Sequence, residues 1–397
     1  MKPLNVLSLF DGMGCAWITL RELGIKVANA YSSEIDKFAI AQVRHNFPEV
    51  QHLGSVTEVD VSQLEPIDLL VGGSPCQSFS FAGKRNGMST TTKEEIYTFD
   101  RYLQLKHDGF TFEGQSYLFW EYMRILRDIR RYNPNVYFLL ENVEMGKKWE
   151  RILSEAIGVQ GLHVNASLVS AQNRRRIYWT NFRTYQDNWF DLPRQAIPQP
   201  KDRGILLKDI LEDTVDEKYY LSDHAVNKLL TSTLRVPENT KTGYAEISPG
   251  DCVDLTQLTS KTRRGRKMKD KSNCLLTAHQ LCRYEAAPRQ LNHAAEYGNQ
   301  PRQQNRFYDT DALSPTLAIP PAGIPKIAEC RYRIRRLTPT ECARLQTIPD
   351  WYEWKGLFPD GTTKPTSDTQ RYKMLGNGWC VEVIKHILSF LPRSAEE

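Results

Sequence analysis

The stretch DLLVGGSPCQSFSFA, residues 68–82, decides how the rest of the chain is interpreted. Its apolar start is typical of a short parallel strand that is covered on both faces. Gly72 and Gly73 allow the backbone to turn sharply, and Pro75 stiffens the loop that follows. The carboxyl end of such a strand is where open α/β sheets bind ligands. Cys76, at the tip of this loop, is either a nucleophile with a lowered pKa or an inert buried thiol.

A second strand and turn stand at the start of the chain. The run LNVLSLF (4–10) predicts a strand, and DGMGCAWITLRELG (11–24) predicts a glycine turn and a helix. The full G-x-G-x-x-G pattern is absent, so the turn alone indicates little. Glu34 follows about 20 residues later, where dinucleotide-type folds place the carboxylate that binds ribose hydroxyls. A solvated loop acid is the alternative, and the combination of turn and acid favours a cofactor.

Further apolar runs alternate with helical patterns in the first half of the chain. SYLFWEYMRILRDIRR (116–131) predicts a helix, and NVYFLLENV (135–143) predicts a buried strand ending near Glu141. A carboxylate at the end of a buried strand requires a partner or a function. VNASLVSAQNRRRIYWTNF (164–182) predicts two strands joined by a polar turn at 172–176. The alternation predicts an α/β domain with a doubly wound, mostly parallel sheet.

Residues 84–115 interrupt this alternation. The segment is polar and rich in turn-forming residues, which predicts a long mobile loop beside Cys76, with a lid as one role for it. Its length is unusual, because most connections inside compact domains are much shorter.

The composition changes again after residue 182. From 183 to 330 the chain is rich in Pro, Asn, Gln and Thr, which predicts a separate, irregular domain of mixed structure. It contains KTRRGRKMKDK (261–271), a basic run that is either a solvated loop or a phosphate-binding element. Regular patterns return near the end, so we predict one discontinuous domain, 1–182 and 331–397, with the other inserted in it.

The bulk properties restrict the class of protein. The 397 residues suffice for more than one domain, and the net charge of +5 permits an anionic partner without establishing one. The eight cysteines include no CxxC pair, so no disulfides are expected. The nearest metal pattern joins Cys274, His279 and Cys282, with Cys252 upstream; it fits no common zinc template, so no metal is expected. The absence of a signal peptide or an apolar run of membrane-spanning length predicts a cytoplasmic protein without membrane contact.

Taken together, these motifs resemble those of the cytosine-5 DNA methyltransferases. The matching stretches are FDGMG (10–14), Glu34, GGSPCQSFS (72–80), ENV (141–143), QNRRR (172–176), RRLTPTECARLQ (335–346) and GNG (376–378). Any one can occur by chance, whereas Pro-Cys-Gln, Glu-Asn-Val and Gln-x-Arg-x-Arg in this order are specific. The resemblance implies a Rossmann-like methyltransferase fold, with the family's target-recognition region at 183–330.

The resemblance also implies roles for single residues. Cys76 is the nucleophile that adds to the cytosine, and Glu141 protonates or hydrogen-bonds ring nitrogen 3. Arg174 and Arg176 contact the base and hold the loop. S-adenosylmethionine is the implied cofactor, with binding residues at Phe10, Asp11, Gly12, Gly14, Glu34, Ile35, Ser55, Val56, Pro75, Leu118, Asn377 and Gly378. Double-stranded DNA is the expected partner of a monomer, with contacts at Gln77, Ser80, Arg85, Arg263, Arg264, Arg266 and Lys267.

Two positions depart from the family's pattern. Many members have an aspartate that binds the adenine amino group where this chain has Ser55. Ser55 is expected to make a weaker contact, with Glu58 or Asp60 as substitutes. Gly378 stands where a small residue such as Ala or Ser is usual, which is expected to be harmless. The segment after Cys76 is longer than in compact members, which affects how it closes.

The predicted function is methylation of carbon 5 of a flipped-out cytosine at a specific duplex site. The lack of a large N-terminal regulatory region predicts a bacterial or phage enzyme of restriction–modification or anti-restriction. Two alternatives stay open: a tRNA cytosine-5 methyltransferase of the same family, and a catalytically silent DNA-binding homologue. The large recognition region favours DNA over tRNA, and the presence of Cys76, Glu141 and Arg176 argues against a silent homologue.

Overall fold

The computed structural model describes residues 2–75, 88–221, 235–248, 250–256, 260, 263–275, 281–285, 307–309, 326–328 and 333–392. The chain divides into two compact units. The first comprises Met1–Ile210, Cys274–Ala278 and Pro339–Glu397, and the second comprises Leu211–Asn273 and His279–Thr338. These boundaries differ from the expected ones, because the first unit continues past residue 182, resumes at 339 and includes a short return near 274.

Residues 183–210 stay with the first unit through contacts that composition does not reveal. The Gln160 N–H donates to the carbonyl of Pro193 over 2.8 Å. The ring Nε2 of His386 lies 2.7 Å from the carbonyl oxygen of Pro198. The change in composition at residue 182 therefore does not coincide with the boundary of the first unit, which lies at Ile210.

The helices are named in chain order. They are α1 (Cys15–Glu22), α2 (Lys37–Asn46), α3 (Phe99–His107), α4 (Leu118–Tyr132), α5 (Lys147–Ile157), α6 (Pro339–Leu345), α7 (Asp368–Asn377) and α8 (Val381–Leu388). Short 3-10 turns occur at Val61–Gln63, Ala166–Leu168, Leu207–Ile210 and Glu217–Tyr219. Within the described ranges, none of the helices is long and apolar enough to cross a membrane.

The strands are β1 (Leu4–Leu9), β2 (Val27–Ser33), β3 (Gln51–His52), β4 (Leu69–Gly73), β5 (Ser89–Thr90), β6 (Phe112–Glu113), β7 (Tyr137–Val143), β8 (Leu162–Asn165), β9 (Arg175–Thr180), β10 (Thr184–Tyr185), β11 (Arg194–Gln195), β12 (Arg235–Pro237), β13 (Tyr244–Glu246), β14 (Cys252–Asp254), β15 (Lys267–Met268), β16 (Leu281–Glu285), β17 (Phe307–Asp309), β18 (Lys326–Ala328), β19 (Arg333–Arg336), β20 (Lys355–Leu357) and β21 (Thr363–Pro365).

One seven-stranded sheet organises the first unit, in the order β3-β2-β1-β4-β7-β9-β8. The strands from β3 to β7 pair in parallel, and β9 runs antiparallel to both β7 and β8. This confirms the predicted doubly wound, mostly parallel sheet. The strand order reverses between β1 and β4, and such a switch point opens a crevice at the carboxyl ends of the strands. Because β9 is antiparallel, its first residues lie at the same edge as the carboxyl end of β7.

The sheet is buried along its centre, as the continuous apolar runs predict. Leu69, Leu70 and Val71 of β4 are each 0% exposed. Helix α4 packs on the sheet with Phe119 and Ile125, which are also 0% exposed. Burying one such side chain contributes about 1.5–3 kcal/mol, so the strand ends that carry polar residues stand on a rigid support.

Strand β3 ends at His52, and the chain then forms a loop in which Gly54 has a φ of 77°. Helix α5 was not predicted. Its side chains Trp149, Leu153 and Ile157 recur at helical spacing and are buried.

Residues 88–115 are folded, so the prediction of a mobile loop is wrong for this part of 84–115. Strands β5 and β6 pair antiparallel, and α3 lies between them in the chain. Met88, Ile96, Tyr102 and Leu105 are each 0% exposed and join the core of the first unit. These apolar residues are too widely spaced to give a periodic signal, so the sequence reads as polar. Residues 76–87 lie outside the described residues.

The described part of the second unit contains more regular structure than its composition predicts. Strands β15, β14, β16 and β19 form an antiparallel sheet in that order, and β12 pairs with β13. A small core holds these elements together. Its buried members are Val236, Ile247, Val253, Leu255, Cys282 and Ile334.

Candidate active site

The loop after β1 forms the first part of the site. Phe10, Gly12 and Gly14 have φ values of 56°, 57° and 83°. A left-handed conformation at a non-glycine residue such as Phe10 stores strain, which is common where ligands bind. A Cβ added to Gly14 would lie 3.1 Å from Trp17 and from Val43, whereas one added to Gly12 would meet nothing within 4 Å. Gly14 therefore allows close helix packing, and Gly12 borders open space.

The buried carboxylate of Asp11 stabilises this loop through hydrogen bonds. Its carboxylate accepts hydrogen bonds from Ser8 Oγ (2.5 Å), Trp17 Nε1 (3.0 Å) and Ser32 Oγ (2.9 Å). Burial raises the pKa of Asp11 to about 6, against the lowering effect of these three bonds, and nearby Glu34 raises it further. The side chain is directed at protein neighbours, so its influence on a ligand is through the shape of the turn.

Glu34 lies directly after β2, beside the same loop. Its Oε2 accepts from the Gly12 N–H at 2.9 Å, and its Oε1 accepts from the N–H groups of Ile35 and Asp36 at 2.8 and 2.9 Å. These bonds fix the orientation of a carboxylate that is only partly buried. Ile35 follows with its side chain 70% exposed. A fixed acceptor next to an exposed apolar side chain suits a ligand that has both hydroxyl groups and an aromatic ring.

The loop after β3 carries the residues expected near the adenine. Ser55 Oγ lies 2.8 Å from Thr57 Oγ1 and accepts from the Thr57 N–H at 3.3 Å. The Asp60 carboxylate caps the 3-10 turn that follows, which commits it to the protein. A Cβ on Gly54 would lie 3.9 Å from the Glu58 carboxylate. Of the two predicted substitutes for the missing aspartate, Asp60 is thus engaged in capping, and Glu58 lies near Gly54.

The other residues expected at the cofactor differ in exposure. Pro75 and Leu118 are half-buried, and Asn377 is exposed. Gly378 is crowded, because an added Cβ would lie 3.0 Å from the carbonyl oxygen of Met374 and 3.3 Å from Cys15 Sγ. Glycine thus suits the packing at this departure from the family's pattern.

Glu141 and Arg176 form an ion pair at the end of β7. The Arg176 Nε lies 2.9 Å from Glu141 Oε1, and Arg176 stands opposite Val143 in the β7–β9 register. Glu141 is 8% exposed, and its Oε1 accepts no hydrogen bond within the described part of the chain. The contact has the distance of an ion pair without the geometry of a hydrogen bond. The carboxylate therefore retains the capacity to bind another group.

Gly73 and Asn142 shape the backbone next to this pair. Gly73 stands opposite Glu141 in the β4–β7 register, and an added Cβ would lie 2.7 Å from Trp379 Nε1 and 3.1 Å from Glu141 Oε2. Only glycine allows this approach. Asn142 Nδ2 donates to Ser74 Oγ at 2.9 Å and to the Ser74 carbonyl at 3.3 Å. These bonds fix the start of the loop that leads to Cys76.

Arg174 and Cys274, together with Glu141 and Arg176, form a polar cluster. Arg174 is 4% exposed, and its Nη2 donates to the Gly378 carbonyl at 2.8 Å. Cys274 Sγ lies 3.3 Å from Arg174 Nη1 and 3.6 Å from Arg176 Nη2. Burial opposes ionisation of Cys274, but the two guanidinium groups lower the pKa of its thiol below its usual value. The sequence did not assign Cys274 to this site, because it lies 100 residues from Arg174 without a local motif.

Four predicted site residues, Cys76, Gln77, Ser80 and Arg85, lie outside the described residues. The basic run in the second unit is described in part, and its charges are mostly engaged. Arg263 and Lys267 form ion pairs with aspartates of the same unit. Arg266 is 0% exposed and donates to two backbone carbonyls. Arg264 and Lys269 of this run are exposed to solvent.

The cysteines of the weak metal pattern do not form one cluster. Cys252 and Cys282 are in β14 and β16 of the second unit, Cys274 belongs to the first unit, and His279 lies outside the described residues. Among the described residues, no group of His, Cys, Asp and Glu side chains is arranged to hold a metal ion.

Comparisons with known proteins agree on one family. The sequence model of C-5 cytosine-specific DNA methylases matches residues 4–392. The orphan methyltransferase M.SPRI of Bacillus phage SPR is 29% identical over 98% of both chains, and the type II methyltransferase M.HgiCI of Herpetosiphon aurantiacus is 26% identical over 99% of both. The solved structure of the Entamoeba histolytica methyltransferase EhMeth has the same fold, with a TM-score of 0.58, 14% identity and full coverage of both chains. Because the family's sequence model spans nearly all of it, the chain belongs to the C-5 cytosine-specific DNA methylases and is a DNA methyltransferase.

Proposed function

We propose that this protein transfers a methyl group from S-adenosylmethionine to carbon 5 of a flipped-out cytosine in a specific duplex DNA site, through a covalent adduct with Cys76. The observation that carries the proposal is the buried Glu141–Arg176 pair, 2.9 Å apart. It stands beside the Ser74 turn that leads directly to Cys76. A carboxyl group and a guanidinium at one strand end supply the two partners that a cytosine ring needs when a thiolate adds to it.

The loops after β1 and β2 fit S-adenosylmethionine. When bound, this cofactor supplies an electrophilic methyl group on a sulfonium. Glu34 would accept hydrogen bonds from the ribose hydroxyls, because its carboxylate is fixed by backbone N–H groups. The exposed side chain of Ile35 would pack on the adenine, and the open space at Gly12 would admit the amino-acid part. Ser55 would contact the edge of the adenine.

The residues of the polar cluster have different roles in the reaction of the base. Carbon 5 of cytosine is a poor nucleophile until the Cys76 thiolate adds to carbon 6, which turns the ring into an enamine. Glu141 stabilises the charge at ring nitrogen 3 by giving or sharing a proton, and Arg176 donates to the base carbonyl. After carbon 5 is methylated, its proton leaves to water or hydroxide and the thiolate departs, which restores the aromatic ring.

The substrate reaches this cluster as a base outside the duplex. A base inside a stack cannot contact a thiol in a pocket, and extruding it costs a few kcal/mol. Arg264 would contribute a phosphate contact from the second unit. The relatives of this protein are named as orphan phage methyltransferases and type II methyltransferases. We extend to this protein a role in restriction–modification or anti-restriction, carried out on DNA in the cytoplasm of a bacterial or phage-infected cell.

A trapping experiment tests the mechanism. Duplex DNA with 5-fluorocytosine at the target sites, incubated with wild-type protein and S-adenosylmethionine, should give an adduct that survives denaturing electrophoresis, because fluorine cannot leave as a proton does. Cys76→Ser should give none. Cys274→Ser, which removes the other thiol of the cluster, should still form the adduct at a lower rate. If wild type forms no adduct and consumes no cofactor on any DNA, the protein is a silent homologue.

The substrate class is tested separately. Purified protein should methylate duplex DNA and leave tRNA unmodified; the reverse result would overturn the DNA assignment. Bisulfite sequencing of DNA from cells that express the protein then identifies the modified base and its sequence context in one experiment.

A further inference from the structure

A single buried carboxylate joins the folded segment 88–115 to the helix that follows it. Glu121 lies in α4 and is 0% exposed. Its Oε1 accepts hydrogen bonds from Tyr102 Oη and from Lys106 Nζ (2.5 Å), both in α3. Its Oε2 accepts from Arg124 Nε at 2.8 Å. Because the carboxylate is shielded from water, a lost donor here is not replaced by solvent.

Arg124 extends this connection to loop 54–60, which follows β3. Its Nη1 donates to the Val59 carbonyl and its Nη2 to the Val56 carbonyl, each at 3.1 Å. The guanidinium is planar and rigid, so fixing Nε on Glu121 also fixes the direction of the other two nitrogens. The side chains of Val56 and Val59 are 6% and 4% exposed. Packing and hydrogen bonds therefore hold the loop from its inner side.

The same loop carries the residues proposed to contact the adenine. Many family members have an aspartate at the position of Ser55, and that longer carboxylate would reach the ligand by itself. The Ser55 hydroxyl is shorter and is already engaged with Thr57. A short side chain has little freedom to follow a displaced ligand. Recognition of the base therefore depends on where the backbone of loop 54–60 is held.

We propose that Glu121 and Arg124 are positioning residues for the cofactor, and that Tyr102 and Lys106 of the segment 88–115 hold them in place. The segment thus stabilises the adenine-binding conformation of loop 54–60 from a distance. This inference rests on the proposed function, because it requires S-adenosylmethionine to bind at that loop.

Calorimetric titration with S-adenosylhomocysteine tests the inference without any turnover. Tyr102→Phe and Lys106→Met should each raise the Kd about 3- to 10-fold, because part of the cost of losing one hydrogen bond to a buried charge is transmitted to the loop. Arg124→Lys should raise it more than about tenfold, because one ammonium group cannot serve the carboxylate and two carbonyls in the same planar geometry. Arg101→Met is the matched control in α3. Arg101 pairs with Glu94 on the surface at 2.7 Å, and this variant should bind as wild type does.

A second ligand separates positioning from general loss of structure. S-inosylhomocysteine has a carbonyl oxygen in place of the adenine amino group and keeps the ribose and the amino acid. Wild type should prefer S-adenosylhomocysteine, and the variants at Tyr102, Lys106 and Arg124 should lose that preference. Variants that bind like Arg101→Met, or that weaken both ligands equally, would overturn the inference and leave the proposed function standing. If wild type binds neither ligand, the proposed function itself fails.

Discussion

Two glutamate–arginine pairs lie in the same unit, and they differ in how completely the carboxylate is used. Glu121 accepts from Tyr102, Lys106 and Arg124, so both of its oxygens are occupied. Glu141 lies 2.9 Å from Arg176, yet its Oε1 accepts no hydrogen bond among the described residues. A saturated pair can only hold structure together, whereas an unsaturated pair can take up a substrate.

The pKa values of the buried carboxyls follow the charge of their donors. Burial opposes ionisation of Glu121, but hydrogen bonds from Lys106, Tyr102 and Arg124 outweigh it and leave its pKa below the usual value. Asp11 is buried with neutral donors only, and its pKa is raised to about 6. Cationic partners therefore keep one buried carboxylate charged, and their absence leaves another ready to take a proton.

The largest effect is expected from Glu141→Gln. The amide keeps the shape of the side chain but cannot give a proton to ring nitrogen 3, so single-turnover methylation should fall about 10²- to 10⁴-fold. Affinity for S-adenosylhomocysteine should stay within about twofold, because the loops that would bind it lie at other strand ends. A fall in rate of less than about fivefold would remove Glu141 from the chemistry.

The opposite pattern is expected from Glu121→Gln. Removing the charge leaves Lys106 and Arg124 without their shared carboxylate, and breaking a buried pair in this way costs about 3–5 kcal/mol. Urea denaturation should show this loss of stability. The rate of methylation per folded molecule at saturating cofactor should change little. If the rate falls as far as in Glu141→Gln while stability is kept, the distinction between the two pairs is wrong.

From the sequence, the members of one pair were placed in a common site, and no role was assigned to the other pair. Glu141, Arg174 and Arg176 were assigned to that site by the family resemblance and were expected at neighbouring strand ends. The contacts of Glu121 depend on the docking of α3, which buries Tyr102 and Leu105 at helical spacing but lies in the polar run 84–115 that was interpreted as a loop. Local periodicity identifies strands and helices, but it carries no information on which distant segment will pack against them.

The same limit of local sequence patterns explains why the burial of Arg266 and the position of Cys274 were not predicted. A run rich in Lys and Arg is expected at the surface, yet Arg266 is fully buried because backbone carbonyls receive its guanidinium. Cys274 belongs to a short return of the chain into the first unit. Neither feature follows from nearby residues, because each is created by a partner that folding brings from elsewhere.

The third prediction concerns Asp11. It tests whether a buried carboxyl group with only neutral hydrogen-bond donors has a raised pKa, in contrast to Glu121 with its cationic donors. With a pKa of about 6 in the folded protein and 3.8 as its ordinary value, the folded state retains a proton in this pH range that the unfolded state has lost. Raising the pH from about 4 to 6 should therefore destabilise wild type relative to Asp11→Asn, by about 2 kcal/mol. Urea denaturation of both proteins across this range measures the difference. A difference that is independent of pH would show that the Asp11 carboxyl ionises normally.

The smallest effect is expected at Cys274. Its substitution tests how far Arg174 and Arg176 depend on their contact with the thiol. Cys274→Ala removes a sulfur that lies 3.3 Å from Arg174 and 3.6 Å from Arg176. Sulfur is a weak acceptor, and Arg174 keeps its bond to the Gly378 carbonyl. A loss of about 1 kcal/mol in transition-state binding, or about fivefold in kcat/KM, follows from losing one such contact. Cys274→Ser, which restores an acceptor of similar size, should recover most of the rate. Equal rates for Ala and wild type would mean that Cys274 does not help to orient Arg176, whereas a loss as large as that of Glu141→Gln would make the thiol part of the chemistry.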